Sequence, residues 1–378
     1  MNGSCGFDVI VVGAGIFGSC TAYHCQKRGL KTLLLEQYEL GHHNGSSHGL
    51  SRIIRYAHTD SPYVPLVNET YRQIEELEKK TGDLLWRKTG LLWASSCSEI
   101  ASISSILQGH HVNHEVIKGT EIANRYPQFV FDDDWSGVLY ANKWLQTFQK
   151  EFMELGGQIH DNEEVLEYCE SSGDVSVKSA KKEYTGKKVI FTVGPWIQKV
   201  FPKLPLNVQP LSVAVCYWKS KRDEDSPMLD MGKFPVFISS RDSLNQFNAF
   251  ALPAIDYPGS IKVRKTFGAD TLSKKLSTCH NDFQESIDIP ANYIKQHLPN
   301  VDGSHPSHLD KCKYTVSEDE HYVIGPFPGS KNVLVGGCGS GSGFKVAPAI
   351  GKVLSEMAAG QTPSVDVSFF SFDRFLSK

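Results

Sequence analysis

The chain has 378 residues, 40% of them hydrophobic and 21% charged, with 39 Lys and Arg against 42 Asp and Glu; its mean hydropathy is −0.27 and its isoelectric point about 6.5. That length supports two or three domains around a large core, and the near-balanced charge gives no basis for nucleic acid or an anionic membrane as a partner. With no apolar run of roughly eighteen residues, no basic region and apolar core at the amino end (MNGSCGFDVI), and FLSK rather than an SKL-type address at the other end, an intracellular protein without a membrane span is expected. The nine cysteines, at 5, 20, 25, 97, 169, 216, 279, 312 and 338, show no CxxC pair and no His/Cys zinc spacing. Free thiols, most of them buried, are therefore expected rather than disulfides or a metal site.

Phe7 to Val12 (FDVIVV) reads as an apolar strand, the stretch from GAGIFGS to about Arg28 as a helix ended by Gly29, and Lys31 to Glu36 (KTLLLE) as a second apolar strand. This is a strand–helix–strand unit of βαβ size, and its near-continuous hydrophobic strands suit a parallel sheet covered on both faces. Gly13-Ala14-Gly15-Ile16-Phe17-Gly18 is GxGxxG placed between strand and helix. Gly13 permits the tight turn, Gly15 lets the backbone approach a pyrophosphate, and Gly18 allows helix–strand packing, with the helix amino end facing phosphates. Glu36, ending the second strand, is placed to accept from a ribose hydroxyl. The unit predicts dinucleotide binding; the acid argues against NADP, and NAD and FAD both remain open.

Gly45 to Arg55 (GSSHGLSRIIR) follows, with Arg52 and Arg55 three residues apart. These arginines either meet surface carboxylates or hold an anionic substrate in a bidentate fork. Residues 62–80 carry helical periodicity from Val67 onward, and Trp86 to Ala94 reads as part of a more antiparallel region. Residues 147–156 form a helix candidate, GGQIHDNEEVLEY a strand, and Lys188 to Val193 an apolar strand stopping at GPW. From about 211 to 305, short strands alternate with Pro, Gly and Asp turns. Cys312 sits in a polar run that reads as loop, either a spare core thiol or a reactive one. Asn332 to Gly336 is a last apolar strand, and GCGSGSGFKVAPAIG runs from a glycine loop into a helix. The expected class is α/β (α+β overall): a Rossmann-like domain from 1–85, 145–210 and 306–378, with 86–144 and 211–305 forming an antiparallel substrate-facing sheet.

Taken together, VIVVGAGIFGSCTAYHCQKRGLKTLLLEQ, GSSHGLSRIIR, TVGPW, KCKYT and GSGSGFKVAPAIG, in this order and spacing, resemble the sarcosine/pipecolate oxidases. These are covalent flavoenzymes of the D-amino-acid-oxidase-like superfamily, and the resemblance runs from about Phe7 to Phe375. It implies FAD, linked through the cysteine of a C-x-Y-T context, here Cys312-Lys313-Tyr314-Thr315. A thiolate is a suitable nucleophile toward an electron-poor flavin methyl group. It further implies Arg55 and Lys345 as the pair binding the substrate carboxylate, Lys262 as the lysine for oxygen activation, and His48 and Arg52 beside the flavin. Phe250, Thr266 and Tyr314 fall in the implied substrate pocket. Gln37, Ser47, Val165, Gly194, Trp196, Gly341, Ser342, Gly343 and Phe344 join the glycine loop and Glu36 around the cofactor.

Three positions depart from the family pattern: Thr266 and Ser342 stand where it has histidines, and Phe250 where it usually has tyrosine. The first and last alter the pocket, and Ser342 alters the flavin surroundings. The expected activity is oxidation of a secondary-amine amino acid by a monomeric enzyme of peroxisome or cytoplasm, with O2 as acceptor and hydrogen peroxide as product. A flavin dehydrogenase with another acceptor, a flavin-binding protein without turnover, and an NAD-dependent dehydrogenase are the alternatives.

Overall fold

A computed structural model of the chain describes residues 6–117, 136–171, 173–240, 249–265 and 282–376; Thr266 lies outside them. In chain order the first half runs β1 (Phe7–Val12), α1 (Ile16–Lys27), β2 (Thr32–Leu35), β3 (Ser51–Arg55), α2 (Tyr63–Thr81), β4 (Trp86–Lys88), β5 (Leu91–Ala94), α3 (Cys97–Gly109), β6 (Ser136–Tyr140) and α4 (Ala141–Glu154). The second half runs β7 (Gln158–His160), β8 (Val165–Glu170), β9 (Val175–Ser179), β10 (Glu183–Phe191), β11 (Val208–Lys219), β12 (Val236–Ser239), β13 (Ala249–Tyr257), β14 (Ser260–Lys265), α5 (Asp282–His297), β15 (His308–Ser317), β16 (Val323–Pro326), β17 (Val333–Gly337) and α6 (Ala347–Ala358).

The first sheet has the order β16-β17-β10-β1-β2-β7, with β8 and β9 attached through β10. Its centre is parallel: β1 pairs with β2 and β10, and β10 with β17. Alternation sorts β1 into two layers. Val9 and Val11 enter the core under the helices, while Ile10 and Val12 enter the core on the other face. Helix α1 is held from two sides. Trp144 and Phe148 of α4, four residues apart and hence on one helix face, pack into its core, with Tyr23 and Phe148 edge to face at 5.4 Å. On the other side Gly351 of α6 lies so close that a Cβ there would stand 2.6 Å from the Cys20 backbone. Truncating Phe148, 1% exposed, should cost about 3–5 kcal/mol.

The second sheet has the order β15-β11-β14-β13-β12-β5. Its outer face, with Ala214, Cys216, Trp218, Ala251, Ile261 and Val263, packs against α5. Its inner face looks toward the first sheet. The third, small sheet β3-β6-β4 bridges the two.

Several boundaries differ from those read in the sequence. Strand β15 pairs with β11 along ten positions, so residues 308–317 belong to the second sheet rather than to the dinucleotide segment 306–378. Cys312 is accordingly a strand residue; the polar side chains that suggested loop are those of an edge strand. Strand β5 joins β12 in parallel, and 211–305 contains a 16-residue helix, α5, whose apolar face covers the sheet. Helix α2 begins at Tyr63, four residues before Val67.

Candidate active site

A cleft of about 760 Å³ runs along the carboxyl ends of β1, β2, β10 and β17, bounded opposite by Tyr217, Asp256, Asp310 and Tyr314 of the second sheet. In open α/β sheets ligands bind at this place. The first glycine loop lines it, and two of its glycines, Gly13 and Gly18, are sterically required. Gly13 has φ +99°, and a Cβ there would meet the Thr192 carbonyl at 2.7 Å. A Cβ on Gly18 would stand 1.8 Å from the Gly13 oxygen. Glu36, 6% exposed, accepts the Ala14 N–H at 2.8 Å and the Tyr38 N–H at 3.1 Å, so its carboxylate braces the loop while still facing the cleft. Ser47 Oγ accepts the Ile16 N–H at 2.9 Å and so caps α1. Gln149 of α4, which sequence reasoning missed, donates to the Ala14 carbonyl at 3.1 Å. Gln37, Phe17, Val165, Gly194 and Trp196 also line the cleft; Trp196 meets Tyr38 with ring centroids 5.6 Å apart.

A second glycine loop, 338–343, closes the other side of the cleft. Cys338 and Ser340 carry φ of +55° and +43°, beside Gly341 at +77°. Non-glycine residues in this region store strain that the surroundings must hold, a pattern concentrated at functional sites. A Cβ on Gly341 would stand 2.6 Å from the Tyr314 ring, and one on Gly343 would stand 2.8 Å from the Phe17 ring. Ser342 Oγ pairs with the Tyr322 hydroxyl at 2.7 Å. Arg52 packs over Phe344 at 5.5 Å and donates to the carbonyls of Ser46, His48 and Ser51. The adjacent His48 ring stacks on His43 at 4.9 Å, and its buried Nε2 has no hydrogen-bond partner among the described residues. Burial, with help from the Arg52 charge, lowers its pKa to about 4, so the ring is neutral near pH 7.

The inner face of the second sheet collects most of the remaining candidates, because side chains alternate along each strand. Lys262 and Arg264 project from β14, with Leu252 and Phe250 opposite them on β13. Lys262, 4% exposed, is ion-paired to Asp256 and donates to Ser51 Oγ at 2.8 Å. Burial lowers its pKa to about 8 against the pull of Asp256. Asp256 also accepts from the Tyr217 hydroxyl at 2.9 Å, and Asp310 from the same hydroxyl at 3.1 Å. Sequence reasoning missed this network and Arg264, which donates to the Tyr314 hydroxyl and stacks on its ring at 4.1 Å. The spacing in SIKVRK was a usable signal, since i and i+2 of a strand share a face.

Cys312 lies on the same strand face as Asp310 and Tyr314, both of which line the cleft. Its own thiol is 5% exposed and packs among Leu211, Val213 and Val316. Tyr314 is held in turn by the Gly341 turn.

Arg55 and Lys345 meet at the junction of the three sheets. The Arg55 guanidinium lies over Trp93 at 4.5 Å and donates to the Ala57 carbonyl; burial lowers its pKa to about 10. Lys345, 3% exposed, donates to the Ser342 carbonyl at 2.9 Å. Burial, then the charge of Arg55, holds its pKa well below the ordinary lysine value. His58, likewise depressed by burial and by both cations, stacks on Tyr63 at 4.5 Å. Among the described residues neither Arg55 nor Lys345 has a carboxylate partner. Two cations placed this way, one buried and one half-buried, can hold an anion.

The residues fit FAD. Two glycine cradles that a Cβ would fill, a carboxylate at the end of β2, a helix amino end and a buried, unpartnered His48 Nε2 converge on one elongated cleft.

The family model described as "FAD dependent oxidoreductase" matches residues 8–357. A Caenorhabditis elegans protein named as a candidate sarcosine oxidase is 55% identical over 98% of each chain. The peroxisomal sarcosine oxidase of Homo sapiens is 34% identical, covering 98% of this chain and 97% of its own. Among solved structures, L-proline dehydrogenase from P. horikoshii superposes with a TM-score of 0.80 at 18% identity, over 99% of both chains, showing that the fold is shared. The chain belongs to the FAD-dependent oxidoreductase family and, within it, to the sarcosine oxidase-like amine oxidoreductases.

Proposed function

We propose that this FAD-dependent amino acid oxidoreductase oxidises secondary-amine amino acids, namely sarcosine, other N-methyl amino acids, or cyclic ones such as pipecolate or proline. The observation that carries this reading is the pairing of half-buried Arg55 with buried Lys345, neither having a carboxylate partner among the described residues. Names of relatives agree: sarcosine oxidases above, and an N-methyl-L-tryptophan oxidase of Salmonella heidelberg at 27% identity over 98% of this chain. The peroxisomal relatives support peroxisome or cytoplasm as the compartment, and the Bacillus relatives named monomeric support a monomer.

The glycine loops, Glu36, Ser47, Arg52, Gly194 and Trp196 hold the cofactor, and Cys312 is its covalent attachment. Held there, FAD would supply a two-electron acceptor for the substrate C–H bond, with O2 as the final acceptor and hydrogen peroxide as the product. Arg55 and Lys345 clamp the carboxylate and so fix the orientation of that C–H bond, an effect that supplies several kcal/mol of a barrier. The same charges lower the substrate amine pKa and favour its reactive neutral form. The imine product hydrolyses to an aldehyde or oxo acid and an amine. Phe250 offers no hydroxyl to the substrate, so the amine is oriented by its carboxylate and by Tyr314. Lys262 provides the cation facing oxygen-derived charge.

A dehydrogenase with a protein or quinone acceptor is favoured by one observation: Asp256 already neutralises Lys262. Substrate-dependent peroxide release in air decides between the two. Arg55→Met should raise KM roughly 100-fold, the scale of a lost charge-assisted fork, while flavin is retained; an unchanged KM removes Arg55 from the clamp. Acid precipitation should leave yellow flavin in the pellet on a peptide containing Cys312, and colour in the supernatant would reduce Cys312 to a packed thiol.

A further inference from the structure

We propose that Arg264 makes the site selective for a secondary amino acid carrying a second carboxylate, of the N-methylaspartate or N-methylglutamate kind. This rests on the amino-acid-oxidising reading above and narrows its substrate class.

Arg264 is 3% exposed. One end of its guanidinium donates to the Tyr314 hydroxyl, but Nε and Nη2 are buried without a hydrogen-bond partner among the described residues. Among the described residues Arg264 forms no ion pair. A guanidinium cannot shed its proton, and a buried charge without a counter-ion is strongly destabilising.

The unpaired edge has a definite chemistry. Nε and Nη2 are the two donors that Arg222 presents to Asp225, at 2.9 Å each, and that Arg374 presents to Asp319, at 2.6 and 3.3 Å. The unpaired edge of Arg264 is therefore the edge that forks a carboxylate elsewhere in this molecule.

Position supplies the rest. Arg264 is cross-strand neighbour to Phe250, Phe250 to Ile238, and Ile238 to Trp93, over which Arg55 lies. One row of the inner face thus runs from a carboxylate-binding arginine, past the Phe250 ring, to a second arginine beside the cleft-lining Tyr314. Three strand spacings of about 4.8 Å separate the backbones at the two ends of this row, a gap that a four- or five-carbon diacid spans only with both arginine side chains extended toward it. A substrate whose first carboxylate meets Arg55 and Lys345 can lay its methylene groups on Phe250 and bring the second carboxylate to Arg264. A tyrosine at 250 would put a hydroxyl in that apolar middle; phenylalanine does not.

The test uses the flavin-bearing protein and two readouts. By calorimetry, glutarate should bind more tightly than butyrate, and Arg264→Met should abolish the difference, with Arg264→Lys retaining part of it through charge without the fork. In turnover, the ratio of kcat/KM for N-methylglutamate over sarcosine should fall roughly 10- to 100-fold in Arg264→Met. Equal binding of glutarate and butyrate by the wild type, or a ratio that Arg264→Met leaves unchanged, overturns the proposal. If glutarate is preferred through Arg264 yet no amino acid reduces the flavin, the second-anion site stands and the oxidase reading falls. If sarcosine is turned over but glutarate is not preferred, the oxidase reading stands and this inference falls.

Discussion

Lys262 and Arg264 stand two residues apart on one face of β14 and are buried alike, at 4% and 3%. One end of this face is electrostatically complete: Lys262 has Asp256, Ser51 and, through Asp256, Tyr217 and Asp310. The other end is not: among the described residues Arg264, Arg55 and Lys345 have hydroxyls, carbonyls and aromatic faces but no carboxylate. A buried ion pair fixes geometry, whereas a buried cation without an anion is set to receive one. The contrast separates groups that hold the site together from groups proposed to meet the substrate.

The sharpest break at the complete end is Asp256→Asn. It strands Lys262 in the core and should cost about 3–5 kcal/mol, while replacing both partners with apolar residues should restore most of it; chemical denaturation reads both. Equal losses in single and double variants would show that the pair is not the source. The opposite sign is expected at the incomplete end. Arg264→Met removes an uncompensated charge and should raise the midpoint of thermal unfolding of the ligand-free protein. A lowered midpoint would mean the guanidinium is held by its Tyr314 contacts rather than awaiting an anion.

The smallest effect is on pH dependence. Lys262, lowered by burial to about 8, is cationic below that value and loses its proton as pH rises through it. Flavin reoxidation by O2 should therefore slow above about pH 8, and Lys262→Met should flatten that profile. A profile identical in the variant would assign the reoxidation charge elsewhere.

How far the sequence reveals this site depends on where each residue's constraint is written. The first glycine loop is local: strand, turn and helix follow one another, and Gly13 and Gly18 have no room for a side chain. Arg55, Lys345 and Lys262 were legible through motif resemblance, not through any local pattern. Asp256, Tyr217 and Asp310 sit on three different strands and meet because β11 lies between β15 and β14, with β13 next beyond β14, so no local window contains them. Strand β15 itself was obscured by its edge position, which puts charged residues around Cys312. Arg264 was hidden differently: its spacing from Lys262 placed it on the site face, but the absence of a partner is a property of the folded core alone.

The most direct measurement compares sarcosine with dimethylamine, the same secondary amine lacking a carboxylate, in anaerobic reduction of the bound flavin. Sarcosine should bleach the flavin at a rate saturating with concentration, and dimethylamine at equal concentration should not, because Arg55 and Lys345 have nothing to hold. Equal bleaching by both, or bleaching by sarcosine that is undiminished in the Arg55→Met, Lys345→Met double variant, would contradict the carboxylate clamp.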